Sequence, residues 1–374
     1  MTRPILLAAG GTGGHLFPAY ALAEELGRRG RPVILMTDMR GDRYGTGFPA
    51  GAIYQVPSAT PGNKRNPIAL AKTGLTLARG VRAARKVLRA ERPAAVVGFG
   101  GYPTVPPLVA ARMLGVPAIL HEQNAVLGRA NRALARYAAA IATSFRKTRL
   151  LDGPLAAKAH FTGNPVRDAV IAAAATPFPP CTAEGPLKLL VFGGSQGARF
   201  FSEAVPPALA SLPKALRQRL EVVQQAREED ISAVTAALAA AGIKAEIAKF
   251  FKNLPEVMAD SHLVIARAGA SSVSELAAIG RPSILVPLPH SLDSDQLANA
   301  SSLAESGGSW CIEQRHLTPE RLAAELVRLF ERPEALVAAA AAAKAQGKAD
   351  AVRALADLVE DVAQQASRPS IRAS

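Results

Sequence analysis

A chain of 374 residues with 49% hydrophobic, 20% charged and 5% aromatic residues is globular in composition, which excludes a disordered or fibrous protein. It exceeds the roughly 250 to 300 residues at which one core stops growing, so two domains are expected. The net charge of +14 is lopsided: residues 1–165 carry 23 basic against 7 acidic side chains, a net +16, and residues 166–374 carry 21 against 23, a net −2. The basic half suits something polyanionic, whether nucleic acid, an anionic membrane surface or a phosphorylated substrate.

Short apolar runs alternate with helical patterns along the whole chain, the signature of βαβ units and parallel sheets. The first half offers strands at Ile5–Ala9, Val33–Thr37, Ala95–Phe99 and Ala118–His121. The second offers Leu187–Phe192, Leu220–Gln224, Ala245–Phe250, His262–Ala266 and Ser283–Val286. The expected architecture is therefore α/β, with two Rossmann-like parallel-sheet domains facing each other across a cleft. The boundary is expected near Asn164-Pro165, ahead of the loop TPFPPCTAEGP, giving domains 1–164 and 165–345. An alanine-rich helical segment runs from Pro333 to about Gln365, and residues 346–374 are expected to be a terminal helix with a frayed tail.

The opening MTRPILLAAGGTGGH passes from an apolar run into a glycine loop rather than a cleavage site, so no signal peptide is expected. No apolar stretch approaches the roughly 20 residues of a membrane-spanning helix. Cys181 and Cys311 form no C-x-x-C pair and cannot make a four-ligand zinc site, which fits a reducing compartment.

In chain order, the first chemical motif is GGTGGHLFPA at Gly10–Ala19, between a strand and a helix. Glycines admit a ligand close to the backbone, and a helix start presents free N–H groups and a positive dipole end to an anion. It is neither the dinucleotide G-x-G-x-x-G pattern nor a Walker loop. A tight turn with no ligand is the plain alternative. GFGGYPT at Gly98–Thr104 follows another strand, and FGGSQGAR at Phe192–Arg199 repeats the arrangement in the second half, with the Ser195 hydroxyl as an added donor. The two loops of the first half suit a diphosphate, and three at strand ends facing one interdomain cleft strengthen the expectation of a ligand site. The stretch ARAGASSVSELAAIGRPSILVPLP at Ala266–Pro289 reads strand, turn, helix, strand. Ser271, Ser272 and Ser274 can cap that helix, and Glu275 either accepts ribose hydroxyls or closes a capping box.

GGTGGH, GFGGY, HEQN at His121–Asn124, GNPVR at Gly163–Arg167, GGSQGA and RAGASSVSE, in this order and spacing, resemble the MurG family of peptidoglycan N-acetylglucosaminyltransferases, which have the GT-B fold. The resemblance runs from residue 10 to about 300. It implies an inverting transfer of N-acetylglucosamine from UDP-GlcNAc to the C4 hydroxyl of the N-acetylmuramoyl unit of undecaprenyl-linked lipid I, giving lipid II. It also implies peripheral attachment to the cytoplasmic face of the inner membrane, work beside cell-wall and division proteins, and no cofactor, UDP-GlcNAc being a co-substrate.

Carried over by motif, the donor site comprises Arg167 and Ser195 near the phosphates and Glu275 on the ribose, with Ala270, Ser271, Ser272, Val273 and Ser274 at the same helix start. Phe251 lies beside the uracil, Asn124 and Gln296 lie on the sugar side, and Thr12, Gly13 and Gly14 close the site from the first domain. Gly100, Gly101 and Tyr102 line the acceptor pocket. An inverting transfer needs a base, and His15, at a helix start that favours neutral imidazole, is the candidate. Glu122 is the rival base or an acceptor-orienting group.

Asp293-Ser-Asp295 spells the D-x-D of metal-dependent glycosyltransferases, but it reads here as turn and N-cap residues of the helix holding Gln296, and no metal is expected. On a helix over Pro67–Arg89, Lys72, Arg79, Arg82, Lys86 and Arg89 share one stripe and Leu70, Leu77, Val81 and Leu88 another. A solvated face over a packed one is the plain reading. With a lipid-linked acceptor, salt-sensitive contact with anionic headgroups is expected. Another GT-B enzyme acting on a different UDP-sugar acceptor, such as a diacylglycerol sugar transferase, is the alternative; the paired glycine loops and HEQN argue against a UDP-GlcNAc 2-epimerase. A nucleic-acid-binding protein should interleave aromatics with its basic residues, and Pro67–Arg89 has none.

Overall fold

The structure, a computed structural model, describes residues 2–10, 13–38, 47–59, 67–182 and 184–367. The chain divides into two compact units, Met1–Val166 with Asp350–Ser374, and Arg167–Ala349.

The first unit is built on a parallel sheet of β1 (Ile5–Ala8), β2 (Val33–Thr37), β3 (Ala52–Gln55), β4 (Ala95–Gly98), β5 (Ala118–Glu122), β6 (Ala140–Thr143) and β7 (Ala159–Phe161), in the order β3-β2-β1-β4-β5-β6-β7. The run ILLA is apolar throughout because both sheet faces are covered. Ile5 and Leu7 pack with Leu16, Leu22 and Leu26 of the helix Gly13–Arg28. Leu6 packs on the other face with Leu88 and Leu108. β3, β6 and β7 were not among the expected strands: AIYQ, AIAT and AHF are short and carry no continuous run of bulky apolar residues.

The second unit holds β8 (Leu187–Phe192), β9 (Leu220–Gln225), β10 (Lys244–Ala248), β11 (Leu263–Ala266), β12 (Ser283–Leu285) and β13 (Ser309–Cys311), all parallel, in the order β10-β9-β8-β11-β12-β13. β10 stops two residues short of the expected Phe250, and β13 is a further short strand without a sequence signal.

Each sheet reverses its winding at one point. β1 lies between β2 and β4, and β8 between β9 and β11. At such a switch point the loops leaving two adjacent strands diverge and open a crevice at their carboxyl ends. Ala8 pairs with Gly98, and Phe192 with Ala266, so glycine loops distant in sequence become neighbours.

The alanine-rich segment is two helices, Pro333–Gln346 and Ala351–Ser367, rather than one. It breaks at Gly347, where a Cβ would lie 2.3 Å from the Ala277 carbonyl oxygen, a contact that only glycine permits. The second of these helices is not a separate terminal element, because Leu355, Ala356 and Val359 enter the same core as Leu7 and Leu22. Arg29 bonds Asp357 at 2.6 Å and Glu360 at 2.9 Å, and Arg31 bonds Glu360 at 2.7 Å. The frayed tail expected beyond it lies outside the described residues.

The basic helix spans Pro67–Glu91 and packs on the helix Val105–Leu114. Its packed face is Gly80, Ala84 and Leu88, and a Cβ on Gly80 would overlap the Pro57 carbonyl oxygen at 2.1 Å. Leu70 shares the face of Leu88, about five turns away, but the buried residues of this helix all lie from Gly80 onward, and Leu70 is 41% exposed, beside Ile68 at 79% and Leu75 at 54%.

Candidate active site

In the first unit, the chain leaves β1 through Gly10, where a Cβ would lie 2.9 Å from Asp38 Oδ1 and 3.1 Å from Thr37 Oγ1. Thr12 lies outside the described residues. The helix begins at Gly13, so Gly14 and His15 occupy its first turn with free N–H groups. The loop after β4 faces them through Gly100 (φ 86°) and Gly101 (φ 72°), left-handed positions that favour glycine. A Cβ on Gly101 would sit 3.3 Å from both Nε2 and Cδ2 of His15. Two constraints thus converge on Gly101: its own backbone and the ring laid over it. His15 is half-buried, and burial pushes its imidazole below the ordinary value, opposed by the Gln123 side chain. The helix start acts in the same direction as burial, so the neutral ring is favoured. Tyr102, half-buried, opens the short turn Tyr102–Thr104, which Thr104 Oγ1 pins by donating to Gly101 O at 2.8 Å.

HEQN begins at the end of β5, with His121 and Glu122 as the last two residues of the strand and Gln123 and Asn124 just beyond. His121 is fully buried; burial drives its pKa down to about 4, and its Nδ1 lies 3.0 Å from Gln123 Nε2. Glu122, at 2% exposure, accepts from the backbone N–H of Asn124 (3.0 Å) and of Gly128 (2.9 Å), and from Asn131 Nδ2 (2.8 Å) and Asn124 Nδ2 (3.4 Å). Burial pushes its carboxyl up while these donors pull it down. Every one of them comes from the segment 124–131, so Glu122 ties β5 to the start of the helix Arg129–Leu134. Asn124, expected on the sugar side of a donor, is engaged in the same clamp.

In the second unit, the loop after β8 enters the helix Gly194–Ala210, with the Gly193 N–H donating to Gln225 Oε1 at 3.2 Å. The side chain of Ser195 lies outside the described residues. The loop after β11 enters the helix Ala270–Ile279, capped by Gly269 with no side-chain bond. The serines therefore do not cap it; Ser271, Ser272 and Ser274 are half-buried beside the free N–H groups of the first turn, and Val273 is buried. Glu275 closes no capping box either. Its carboxylate takes Arg167 through Nη2 at 3.1 and 3.3 Å and Nε at 3.3 Å, so the phosphate and ribose candidates hold each other. Burial pushes the Glu275 carboxyl up, and Arg167 opposes that.

Gln296 turns its Oε1 to the Leu288 N–H at 3.0 Å, fixing the preceding loop. Asp293 (φ 53°) and Ser294 (φ 56°) are left-handed, and Ser294 rather than Asp295 holds the N-cap position. Asp295 is the first helical residue, its Oδ1 accepting from Gln296 N at 2.7 Å. Phe251 is buried, and its neighbour Phe250 is 69% exposed. Arg267, inside the RAGASSVSE motif, was given no role by sequence reasoning. It is buried, lies 5.1 Å from the rings of both Phe200 and Phe201, and donates to Gln314 Oε1 at 2.7 Å, and burial lowers its pKa to about 10. His121, Gln123 and Asn131 were also missed. For His121 and Gln123 the signal was a polar run at the end of an apolar strand, where side chains must find partners inside the fold; Asn131, in the helix Arg129–Leu134, had none.

Residues 5–143 match the glycosyltransferase family 28 N-terminal domain, and residues 188–355 match the family 28 C-terminal domain. The chain is 58% identical over 365 residues to a UDP-N-acetylglucosamine–N-acetylmuramyl-(pentapeptide) pyrophosphoryl-undecaprenol N-acetylglucosamine transferase of Methylobacterium nodulans, covering 97% of this chain and 98% of the relative. A protein of the same name from Chelativorans sp. is 54% identical, covering 96% of each chain. The crystal structure of MurG from Acinetobacter baumannii superposes with a TM-score of 0.80 at 29% identity, covering 96% of this chain and 99% of that one. The calicheamicin glycosyltransferase CalG4 shares the fold, with a TM-score of 0.64 at 17% identity over 98% of this chain and 100% of that one. Both units thus carry the two parallel-sheet domains of GT-B glycosyltransferases, and the chain belongs to glycosyltransferase family 28.

Proposed function

We propose that this glycosyltransferase moves N-acetylglucosamine from UDP-GlcNAc to the C4 hydroxyl of the N-acetylmuramoyl unit of lipid I, forming lipid II for peptidoglycan. The observation that carries the reading is the switch-point loop of the first unit, where a His15 ring kept neutral by burial lies over the side-chain-free Gly101. Its Nε2 takes the proton of the acceptor hydroxyl as that oxygen bonds to the anomeric carbon. The bond from that carbon to the diphosphate oxygen breaks, UDP leaves with the electron pair, and the anomeric centre inverts.

In the second unit, the helix starts at Gly194 and Ala270 offer backbone N–H groups to the diphosphate, and Arg167 adds a cation. Glu275 then takes the ribose hydroxyls, which requires the Arg167 pair to open as the nucleotide enters. These donors are protein groups, so the reaction needs no cofactor and should survive chelation of divalent ions. Gly100, Gly101 and Tyr102 receive the acceptor. The test is transfer by purified protein: product from UDP-GlcNAc that requires the lipid-linked muramoyl acceptor supports the reading, and donor binding without transfer to that acceptor refutes its acceptor half.

The same reading places the protein on the cytoplasmic face of the inner membrane. No helix among the described residues is long and apolar enough to cross a bilayer. The helix Pro67–Glu91 instead presents Ile68, Lys72, Leu75, Arg79, Arg82 and Lys86 at helical spacing, all exposed, with apolar side chains at one end of a basic stripe. Each basic residue near anionic lipid contributes about 1 kcal/mol, falling as salt rises. Flotation with anionic vesicles should therefore decline steeply with salt and with Ile68→Asp. Equal flotation with neutral vesicles would refute the electrostatic part.

A further inference from the structure

Gln123 sits between the proposed base and the core of the first unit, at 3% exposure. Its amide nitrogen faces Phe99 O at 2.8 Å, His121 Nδ1 at 3.0 Å and His121 O at 3.4 Å. All three are acceptors, since burial keeps His121 neutral and its Nε2 lies 3.4 Å from the Gly163 carbonyl, so that the ring proton belongs on Nε2. An amide carries its two donors on nitrogen and its acceptor on oxygen. With nitrogen committed to Phe99 and His121, the oxygen must face the other way.

On that other side lies His15. A Cβ built on Gly100 would be 3.5 Å from Gln123 Oε1 and 3.5 Å from His15 Cε1, so the two side chains flank the same small gap, and Gln123 acts on His15 as a hydrogen-bond partner that opposes the effect of burial. His15 Nδ1 is buried and, among the described residues, has no fully formed hydrogen bond, so its contact with Gln123 is a loose one. The opposite edge, Nε2 and Cδ2, lies against Gly101, where a side chain would cover it. A neutral imidazole carries one proton, and the acceptor nearest its buried edge decides which nitrogen holds it.

We propose that Gln123 is a positioning residue for the transfer reaction: its Oε1 accepts from Nδ1–H of His15, holding the proton on the buried nitrogen and leaving the Nε2 lone pair for the acceptor hydroxyl. His121 acts one step behind, by fixing which way the Gln123 amide points. The arrangement does the work of the carboxylate in a Ser-His-Asp triad with a neutral group. The contact closes as Nε2 gains the acceptor's proton, because an imidazolium Nδ1–H is the stronger donor. A neutral orienter also suits a base that must start unprotonated, since a carboxylate there would raise the imidazole pKa.

The inference rests on His15 being the base, so the decisive experiment reads the tautomer as well as the rate. Nitrogen-15 NMR of imidazole-labelled full-length protein, assigned with His15→Gln, should show neutral His15 protonated on Nδ1. Protonation on Nε2 in the wild-type protein would overturn the proposal without any variant having to fold. In Gln123→Met the two tautomers should mix, and kcat should fall on the order of 10- to 100-fold with the donor Kd within about twofold. In Gln123→Glu, which restores an acceptor, the Nδ1 proton and part of the turnover should return. A Gln123→Met enzyme with wild-type tautomer and wild-type kcat would overturn the proposal. Near-normal turnover in His15→Ala beside a wild-type Nδ1 tautomer would instead remove His15 as base and leave the Gln123 contact standing.

Discussion

Replacing Glu122 by alanine separates two roles that the sequence leaves open, because the structure predicts a stability loss that a purely chemical role would not cause. Three short hydrogen bonds end on its buried carboxylate, from Asn124 N, Gly128 N and Asn131 Nδ2 at 2.8 to 3.0 Å. An unsatisfied buried donor costs about 1 to 3 kcal/mol, so three orphaned donors set a loss of about 3 kcal/mol at the low end. The first unit has 166 plus 25 residues, or 191. For a unit of that size each kcal/mol moves Tm by about 2 to 4 °C, which gives a fall of about 6 to 12 °C. The assay is thermal unfolding followed by a first-unit probe, with donor affinity measured alongside. The donor Kd should stay near wild type, since the donor groups of the second unit are untouched. A variant that melts like wild type but has lost turnover would refute the clamp and make Glu122 a chemical participant.

Three further outcomes follow from other sites. Arg281, 1% exposed, spreads its N–H groups over the carbonyls of Ala259, Ile279, Gly280, Thr176 and Pro177, and burial lowers its pKa to about 10; Arg281→Met should cost the second unit about 3 to 5 kcal/mol in urea unfolding, and a loss under about 1 kcal/mol would contradict that. Glu275→Ala should weaken UDP-GlcNAc binding at least about tenfold in calorimetry with little change in Tm, because its Arg167 partner is half-exposed and can be solvated; unchanged affinity would remove Glu275 from the ribose. His121 has a folded pKa of about 4 against 6.5 when unfolded. The unfolded chain therefore binds that proton first, and stability present above pH 6.5 is lost as pH falls towards 4, by about 3 kcal/mol. Chemical denaturation between pH 7 and 4 should show that loss in wild type and a flatter profile in His121→Gln.

Much of this was legible in the sequence because βαβ chemistry writes itself locally. Runs such as ILLA and LKLLVF announce strands buried on both faces, and the glycines after them announce turns that bring the backbone close to a ligand. Strands such as AHF and SWC, which carry no apolar run of their own, were not legible, since they exist through pairing with neighbours rather than through their own pattern. The last helix reads as an appendage because nothing local says that Leu355 and Val359 belong in a core with Leu7. Leu70 falls on the packed stripe by spacing, on the same face as the buried Leu88, but spacing does not say how far along the helix the packing reaches, and burial begins only at Gly80.

At the site, spacing identified His15 and the HEQN motif but not how their side chains divide the work. That depends on partners far along the chain, with Phe99 and Gly163 bonding the Gln123 and His121 side chains. Partnerships of this kind have no sequence period, so only the folded geometry separates the clamp at Glu122 from the contacts of Gln123 with Phe99 and His121.

The most direct test of the central claim is a single-turnover transfer measurement on His15→Ala with UDP-GlcNAc and a lipid-linked muramoyl acceptor, paired with the donor Kd of the same protein. A base that takes the acceptor's proton contributes roughly 10²- to 10⁴-fold. The chemical step should therefore slow by that factor while donor affinity stays near wild type. A variant that transfers N-acetylglucosamine at nearly the wild-type rate would contradict the account, because the neutral imidazole over Gly101 would then have no part in the chemistry.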